Sequence, residues 1–449
     1  MGMTFYCESP NITKNPKREM YFCSMVTILF ILGYLAIIFE HPLKLNKTAS
    51  ALVTGVLCWT AWILTGDSEF INSFLGEQLG GLAGFLFFLL GAMTTVELID
   101  AHDGFEVITG RITTTNKRKL IIIISVISFV LSAVLDNLTT AIVMITLIRK
   151  LTEDKNDRMF FGGAVVIAAN AGGAFSPIGD VTTTMLWVGN QITAGNIITS
   201  LFIPSLVCML VPLLWMWVKL KGNVQRPSLE NGSGRSKVKT TEAERNTVFI
   251  FGTGVLVFVP IFKSITHLPP FMGILLGVGL LWIVTEIIHK QKNDEHKTEL
   301  SVAGALQRVD TPSILFFLGI LLAIGALEGT GVLHHLAEEM DHMIGNIDLI
   351  AIVIGLASAV IDNVPLVAAA QGMYSLAEYP TDHHLWEIMA YCAGTGGSVL
   401  VIGSAAGVAI MGIEKISFIW YLRKISFPAL LGFLSGALVY IGQEMLLNG

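Results

Sequence analysis

Charge is what this 449-residue sequence has least of. Its 28 Lys and Arg and 34 Asp and Glu make up 14% of the chain, against about 25% in soluble domains. Hydrophobic residues reach 53% and the mean hydropathy is +0.68, more apolar surface than a water-soluble fold of this length hides. A polytopic membrane protein is implied. The net charge of −6 excludes a basic nucleic-acid binder, whose affinity rests on neutralising phosphates. Cysteines are few and scattered (Cys7, Cys23, Cys58, Cys208, Cys392). They show neither CxxC nor metal spacing, and read as small apolar packers. With no phosphate-cradling loop and no Ser-His-Asp spacing, neither an enzyme nor a cofactor is expected. The first apolar run, 20–39, is as long as a full span, so no cleaved leader is expected.

At about 20 residues per spanning helix, the length suits roughly ten crossings. Apolar blocks fall near 20–39, 48–65, 79–99, 118–148, 159–189, 194–218, 246–262, 271–289, 313–333, 347–373, 386–412 and 425–447. The long polar stretch, 219–245, carries Gly222, Pro227, Ser228, Asn231, Gly232, Ser233 and Gly234 and reads as a flexible linker. The expected organisation is an outer tail (1–19), a first membrane repeat (20–218), the linker (219–245) and a second repeat (246–449).

The repeats are legible. Ser132-Ala-Val-Leu-Asp-Asn137 returns as Ser358-Ala-Val-Ile-Asp-Asn363, and Gly172-Gly-Ala-Phe-Ser-Pro-Ile-Gly179 returns loosely as Gly396-Gly-Ser-Val-Leu-Val-Ile-Gly403. Phe87-Phe88-Leu89 with Glu97 is echoed by Phe316-Phe317-Leu318 with Glu328. Three ordered matches at nearly one offset indicate an internal duplication. Its sense follows from the excess of Lys and Arg in cytoplasmic loops. If the two Asp-Asn blocks are hairpins that enter and leave on one side, each repeat crosses five times and the second is inverted. Of the 28 basic residues, only Lys14, Lys17, Arg18 and Lys263 then lie outside. Single crossings of those blocks give a far poorer split. Both termini are expected outside, with the first hairpin opening to the cytoplasm and the second to the exterior.

Five acids stand in or beside apolar blocks: Glu97, Asp136, Asp180, Glu328 and Asp362. A carboxylate at the bilayer centre costs about 2.5–3.5 kcal/mol or more, and no Lys or Arg lies within these blocks to pair with it. Each Asp-Asn pair lies mid-block, where a hairpin tip reaches the midplane. Ser132 and Ser358 precede the aspartates by one helical turn, Thr139 and Thr140 follow the first, and Pro365 starts a new helix after the second. Gly172, Gly173, Pro177 and Gly179 break a helix, and broken helices expose the polar ends from which secondary transporters build midplane ion sites. Close helix packing is the alternative reading of Gly396, Gly397 and Gly403. Carboxylate, amide, hydroxyl and carbonyl oxygens suit a hard cation such as Na⁺ or Li⁺. A buried aspartate without a fixed cation is stable protonated or ion-bound and unstable empty, so Na⁺ and H⁺ compete for it.

Weaker features complete the reading. His334, His335, His342, His383 and His384 read as solvated outer-loop histidines, with metal binding or pH sensing as the alternative. Asp100, His102 and Asp103 after Glu97 form either an ion funnel or pH sensor, or a solvated helix end. Trp187, Trp215, Trp217, Trp420 and Tyr421 read as interface anchors.

The stretches Phe39-Glu-His-Pro-Leu-Lys44, Leu135-Asp-Asn-Leu-Thr-Thr140, Ala169-Asn-Ala-Gly-Gly-Ala-Phe-Ser-Pro-Ile-Gly-Asp-Val-Thr-Thr-Thr184, Gly325-Ala-Leu-Glu-Gly-Thr-Gly331, Ile361-Asp-Asn-Val-Pro365 and Gly394-Thr-Gly-Gly-Ser-Val-Leu-Val-Ile-Gly-Ser404 resemble NhaD-type sodium/proton antiporters of the ion-transporter superfamily, over about residues 20–447. The resemblance implies exchange of Na⁺ or Li⁺ for H⁺ in the plasma or inner membrane, a homodimer in the lipid bilayer, and elevator-like movement of the hairpins with the broken helices. The candidate ion or proton ligands are Asp136, Asn137, Ser132, Thr139, Asn170, Ser176 and Asp180 in one half, and Asp362, Asn363, Ser358, Thr395 and Ser404 in the other. Na⁺ or Li⁺ is expected at Asp136, Asn137, Asp362 and Asn363, with Glu97, Glu328 and His102 as candidate proton or pH sensors. The alternative is a Na⁺-coupled symporter of a dicarboxylate or other small anion; such relatives carry Ser-Asn-Thr where this chain has Asp136-Asn137-Leu138 and Asp362-Asn363-Val364.

Overall fold

Polar side chains set the helix starts. Asp67, Asn116, Asp154, Thr193, Asn346 and Ser404 each accept a hydrogen bond from a backbone N–H of the following turn, which satisfies donors that no helix can pair internally. Thr241 does so within a capping box with Glu244. The computed structural model describes residues 16–64, 67–109, 112–226, 240–290, 292, 294–400 and 403–447. The expected tail lies mostly outside these, as does 227–239 of the expected linker.

The first half comprises α1 (Pro16–Ile38), α2 (Lys47–Ile63), α3 (Ser68–Ala101), α4 (Lys117–Ser132), α5 (Asn137–Leu151), α6 (Lys155–Ala174), α7 (Val181–Val188) and α8 (Ala194–Lys219). The second comprises α9 (Glu242–Thr266), α10 (Pro270–Ile288), α11 (Thr311–Gly329), α12 (Val332–Ile344), α13 (Ile347–Ala357), α14 (Asn363–Met373), α15 (His384–Gly396), α16 (Ala405–Glu414) and α17 (Phe427–Leu447). Short helical turns fill some connections, and a π-helical turn, Leu422–Ser426, leads into α17.

Packing sorts these helices into two groups that each draw on both halves. In one, α1 packs on α2, α2 on α11, α9 on α10, and α10 on α3. In the other, α4 packs on α6, α13 on α15, and α8 on α17. The α4–α5 pair is a hairpin: Lys117 at its start bonds Asp157, just past its end, at 2.7 Å. Beside it, Arg149 and Arg158 both hold the buried Glu414 at the end of α16, at 2.5 and 2.9 Å. In the α13–α14 pair, Asp348 near the start meets His384 beyond the end.

Glycine makes these hairpins fit. A Cβ on Gly172 would stand 2.1 Å from the Phe129 carbonyl oxygen, and one on Gly396 would stand 2.0 Å from that of Gly355. Those two contacts occupy equivalent places in the matching motifs of the two halves. Gly179 against the Ser132 carbonyl and Gly403 against that of Ser358 form a second equivalent pair. Close packing, one of the two readings of these glycines, is therefore met.

Among the described residues, six helices are long and apolar enough to cross a membrane, or seven if α12 and α13, which meet at 114°, count as one. Ile250, Ile261, Ile265, Ile283 and Ile287 are exposed on α9 and α10, an apolar surface that only a non-aqueous surround tolerates. The chain is a multi-pass membrane protein. Hydropathy placed the third block at 79–99, but α3 starts at Ser68, because Glu69, Asn72, Glu77 and Gln78 dilute the apolar signal of a helix already under way. Two expected interface anchors are packed inside instead. Trp187 is buried edge-on to Phe88 beneath Lys263, and the buried Tyr421 hydroxyl donates to the Ser398 carbonyl. Trp215 and Trp217 do stand at a helix end, under Lys219 and Arg118. Cys58, Cys208 and Cys392 are buried free thiols, as expected; the Cys7 and Cys23 side chains lie outside the described residues.

Candidate ion-binding site

Both Asp-Asn blocks break where expected. α4 ends at Ser132 and α5 starts at Asn137; α13 ends at Ala357 and α14 starts at Asn363. Asp136 and Asp362 are the N-caps of the second arms. The Asp136 carboxylate accepts from the Thr139 N–H at 2.7 Å and the Thr139 hydroxyl at 2.8 Å. Asp136 itself stands at φ 120°, a conformation that glycine occupies far more readily and that costs roughly 1–3 kcal/mol. Such strain concentrates at functional sites. Asp362 accepts from the Val364 N–H at 3.3 Å.

The two tips meet on one carboxylate. α6 ends at Ala174, and Asp180 caps α7 across the Gly-Pro break. Asn137 Nδ2 donates to Asp180 Oδ2 at 2.6 Å and to Asn170 Oδ1 at 3.1 Å. Asn363 Nδ2 donates to Asp180 Oδ1 at 3.4 Å, and Asn170 Nδ2 donates to the Ser398 hydroxyl at 2.9 Å. Thr182 donates to Asp180 Oδ1 through both its N–H and its hydroxyl, at 2.9 and 2.8 Å. Asp180 is thus the hub of a buried network assembled from both halves. The residue that matches it in the second half is Ser404, which caps α16 by accepting from the Gly407 N–H, so the two halves differ chemically at this position.

The serines have a different place from the one their spacing suggested. The helices end at Ser132 and Ala357, so no continuous turn carries either hydroxyl to its aspartate. Ser132 donates to the Ala169 carbonyl, and Ser358 to those of Gly355 and Ala393, which ties each hairpin to its broken helix. Ser176 likewise donates to the Ala133 carbonyl, and Thr395 to the carbonyl of Tyr391.

Three cavities take in candidate residues. The central one, about 100 Å³, is lined by Asp136, Asn137, Asp180, Asp362, Asn363 and Lys47, among others. A second, about 200 Å³, takes in Glu97, Asp100, Asp103, Glu106 and Lys150. Thr139 lines both. A third, about 400 Å³, holds Glu77, Gln78, Gln191, Gln371 and Glu328, which accepts from Gln78 at 3.2 Å.

Sequence reasoning missed four partners. Thr182 and Ser398 sit inside the quoted motifs and could have been found there. Lys47, 3.9 Å from Asp362, and Arg308, 3.6 Å from Glu97, reach these acids from other segments, and nothing local signals them. No Lys or Arg lies within the acids' own blocks, as the sequence reads, but these two acids find cations from elsewhere in the chain.

His102 is neither solvated nor in a funnel. It is buried, its Nδ1 against the Leu98 carbonyl at 2.7 Å and its Nε2 against Nε2 of His289 at 2.8 Å. It lies just past the last helical residue of α3, and burial pushes it down to about 4; burial lowers His289 too. One N–H fits between the rings, and a second proton sets two donors face to face. Since the unfolded value is near 6.5, acidification should cost stability from about pH 6.5 down to pH 4, by at most about 1.4 kcal/mol per pH unit. Thermal melting in detergent between pH 7.5 and 4.5 should show that slope in the wild type and a flatter one in His102→Gln. Parallel slopes would refute it. Of the histidines read as outer-loop residues, His384 is also not simply solvated: it sits against Asp348 and stacks on Tyr440.

With this geometry in hand, likeness to known proteins is decisive. The sequence profile of the Citrate transporter family (CitMHS) matches residues 34–386. The chain belongs to this family. Several similar proteins carry an ion-exchange name. Sodium/proton antiporter 1 of Arabidopsis thaliana is 48% identical over 428 residues, covering 94% of this chain and 72% of that protein. Sodium/proton antiporter 2 of the same plant is 45% identical, covering 93% and 98%. The Na⁺/H⁺ antiporter NhaD of Vibrio cholerae is 30% identical, covering 94% and 91%. This bears out the resemblance to NhaD-type antiporters.

Proposed function

We propose that this citrate-transporter-family member exchanges Na⁺ or Li⁺ for H⁺ across the membrane, with ion and proton competing for the aspartates of the central cavity. The observation that carries the reading is the convergence of Asn137 and Asn363 on Asp180. The amide N–H groups now occupying its lone pairs can turn over and present Oδ1 instead, so a dehydrated cation exchanges two donors for two oxygen ligands. A proton on Asp180 Oδ2 adds a donor to that set, and Asn137, turned to present Oδ1, accepts it.

The topology that suits this chemistry is two inverted repeats, over 20–218 and 246–449, joined by a cytoplasmic linker. α4–α5 and α13–α14 are re-entrant hairpins entering from opposite sides, and both termini lie outside a plasma or inner membrane. The group holding the hairpins slides against the other, elevator-like, within a homodimer. Dianion symport is disfavoured by charge, since three aspartates line a small cavity in which Lys47 is the basic lining residue.

In proteoliposomes acidified inside, Na⁺ or Li⁺ added outside should collapse the pH gradient read by a ΔpH-sensitive dye. Asp136→Asn and Asp362→Asn should abolish that response while inserting normally. Full activity in both variants would refute the site. A wild type that is silent to Na⁺ and Li⁺ yet takes up labelled citrate or succinate would refute the exchange.

A further inference from the structure

Lys47 is the first residue of α2, in the helix group that does not contain the hairpins. Its ammonium lies 3.9 Å from Asp362 Oδ2 and 4.7 Å above the Phe316 ring, and it borders the central cavity. The pair is partly exposed, at 40% and 31% of side-chain surface, so it is weak and readily parted. Asp136, the matching residue of the first half, is satisfied by Thr139, and among the described residues no Lys or Arg bridges to it. The two aspartates therefore differ in that only one has a tethered cation within reach, supplied across the boundary between the helix groups.

We infer that Lys47 is a built-in competitor of the transported cation. It neutralises Asp362 when the site is empty and is displaced when Na⁺ or Li⁺ enters. The Phe316 face gives the ammonium a resting contact on either side of that exchange. The inference rests on the exchange reading above and adds the group that sets its cation affinity.

If so, Lys47→Gln lowers the apparent KM for Na⁺ at least threefold at fixed ionic strength, whereas Lys47→Arg, which keeps the charge, stays within twofold of the wild type. A merely structural role would lower the maximal rate in both variants and leave KM in place. An unchanged or raised KM in Lys47→Gln, with the variant present in membranes at the normal level, overturns the inference. A second measurement uses the unaltered protein. Saturating Na⁺, but not choline, should increase modification of Lys47 by an amine-directed reagent, quantified by peptide mass spectrometry. No change with Na⁺ overturns the displacement even if transport cannot be measured. Failure of exchange itself would instead appear as an absent Na⁺ response in the wild type, so the two failures are distinguishable.

Discussion

Asp180→Asn is expected to lower Na⁺-driven proton flux at least about a hundredfold while leaving the protein folded and inserted. The two halves of that expectation have separate causes. Folding survives because an asparagine at 180 keeps an acceptor for the Thr182 N–H and hydroxyl. Its new amide takes the Oδ2 place and meets Asn137, whose side chain can turn its oxygen inward, while Asn363 still donates to Oδ1. Transport does not survive, because the substituted group neither titrates nor offers charge to a cation. Losing charge-assisted contacts worth about 1.5–3 kcal/mol each from a two-amide hub amounts to a factor of a hundred or more, at 1.36 kcal/mol per tenfold. Dye-monitored flux in proteoliposomes, normalised to reconstituted protein, measures it. Asp180→Asn with flux within threefold of the wild type would move the ion to Asp136 and Asp362 alone and leave Asp180 a helix cap.

That ranking of Asp180 could not come from sequence alone. The duplication made the Asp-Asn tips conspicuous because they occur twice, whereas Asp180 occurs once and answers to Ser404. Local chemistry was partly encoded: Asp136 and Asp362 cap the helices that start where a turn was expected, and the chain breaks around Pro177 and Gly179, whereas Gly172 and Gly173, also expected to break it, stay helical at the end of α6. Contacts between segments distant in the chain were not. Lys47 meets Asp362 across more than three hundred residues, Arg308 meets Glu97 across more than two hundred, and His102 meets His289 across 187. Each sits at the end of a helix, and periodicity within a helix says nothing of which other end it will face. Ser132 and Ser358 illustrate a finer limit. Their spacing to the aspartates is helical in number but not in space, since the helix stops between them and the hydroxyls turn to the broken helix.

Gly172→Ala and Gly396→Ala should fail in the opposite manner, through folding rather than chemistry. Each added Cβ would come about 2 Å from a backbone carbonyl oxygen of the facing hairpin arm, Phe129 in one half and Gly355 in the other. Backbone on both sides leaves no side chain to swing away, so the hairpin must lift off its broken helix and carry the tip from Asp180. Overpacking costs typically 1–3 kcal/mol and more when the obstruction is rigid; here roughly 3 kcal/mol per site is expected. Gly279 and Gly412 supply the control, since a Cβ meets nothing within 4 Å at either. Both lie within helices, where alanine gains about 0.5–1 kcal/mol over glycine. Melting temperature and yield after detergent extraction should therefore fall for the first pair and hold or rise for the second. Equal behaviour of all four would mean that the close approach is not what locks the hairpins. A drop confined to the first pair would show that glycine sets the distance at which hairpin and broken helix meet, and with it where the tip stands against Asp180.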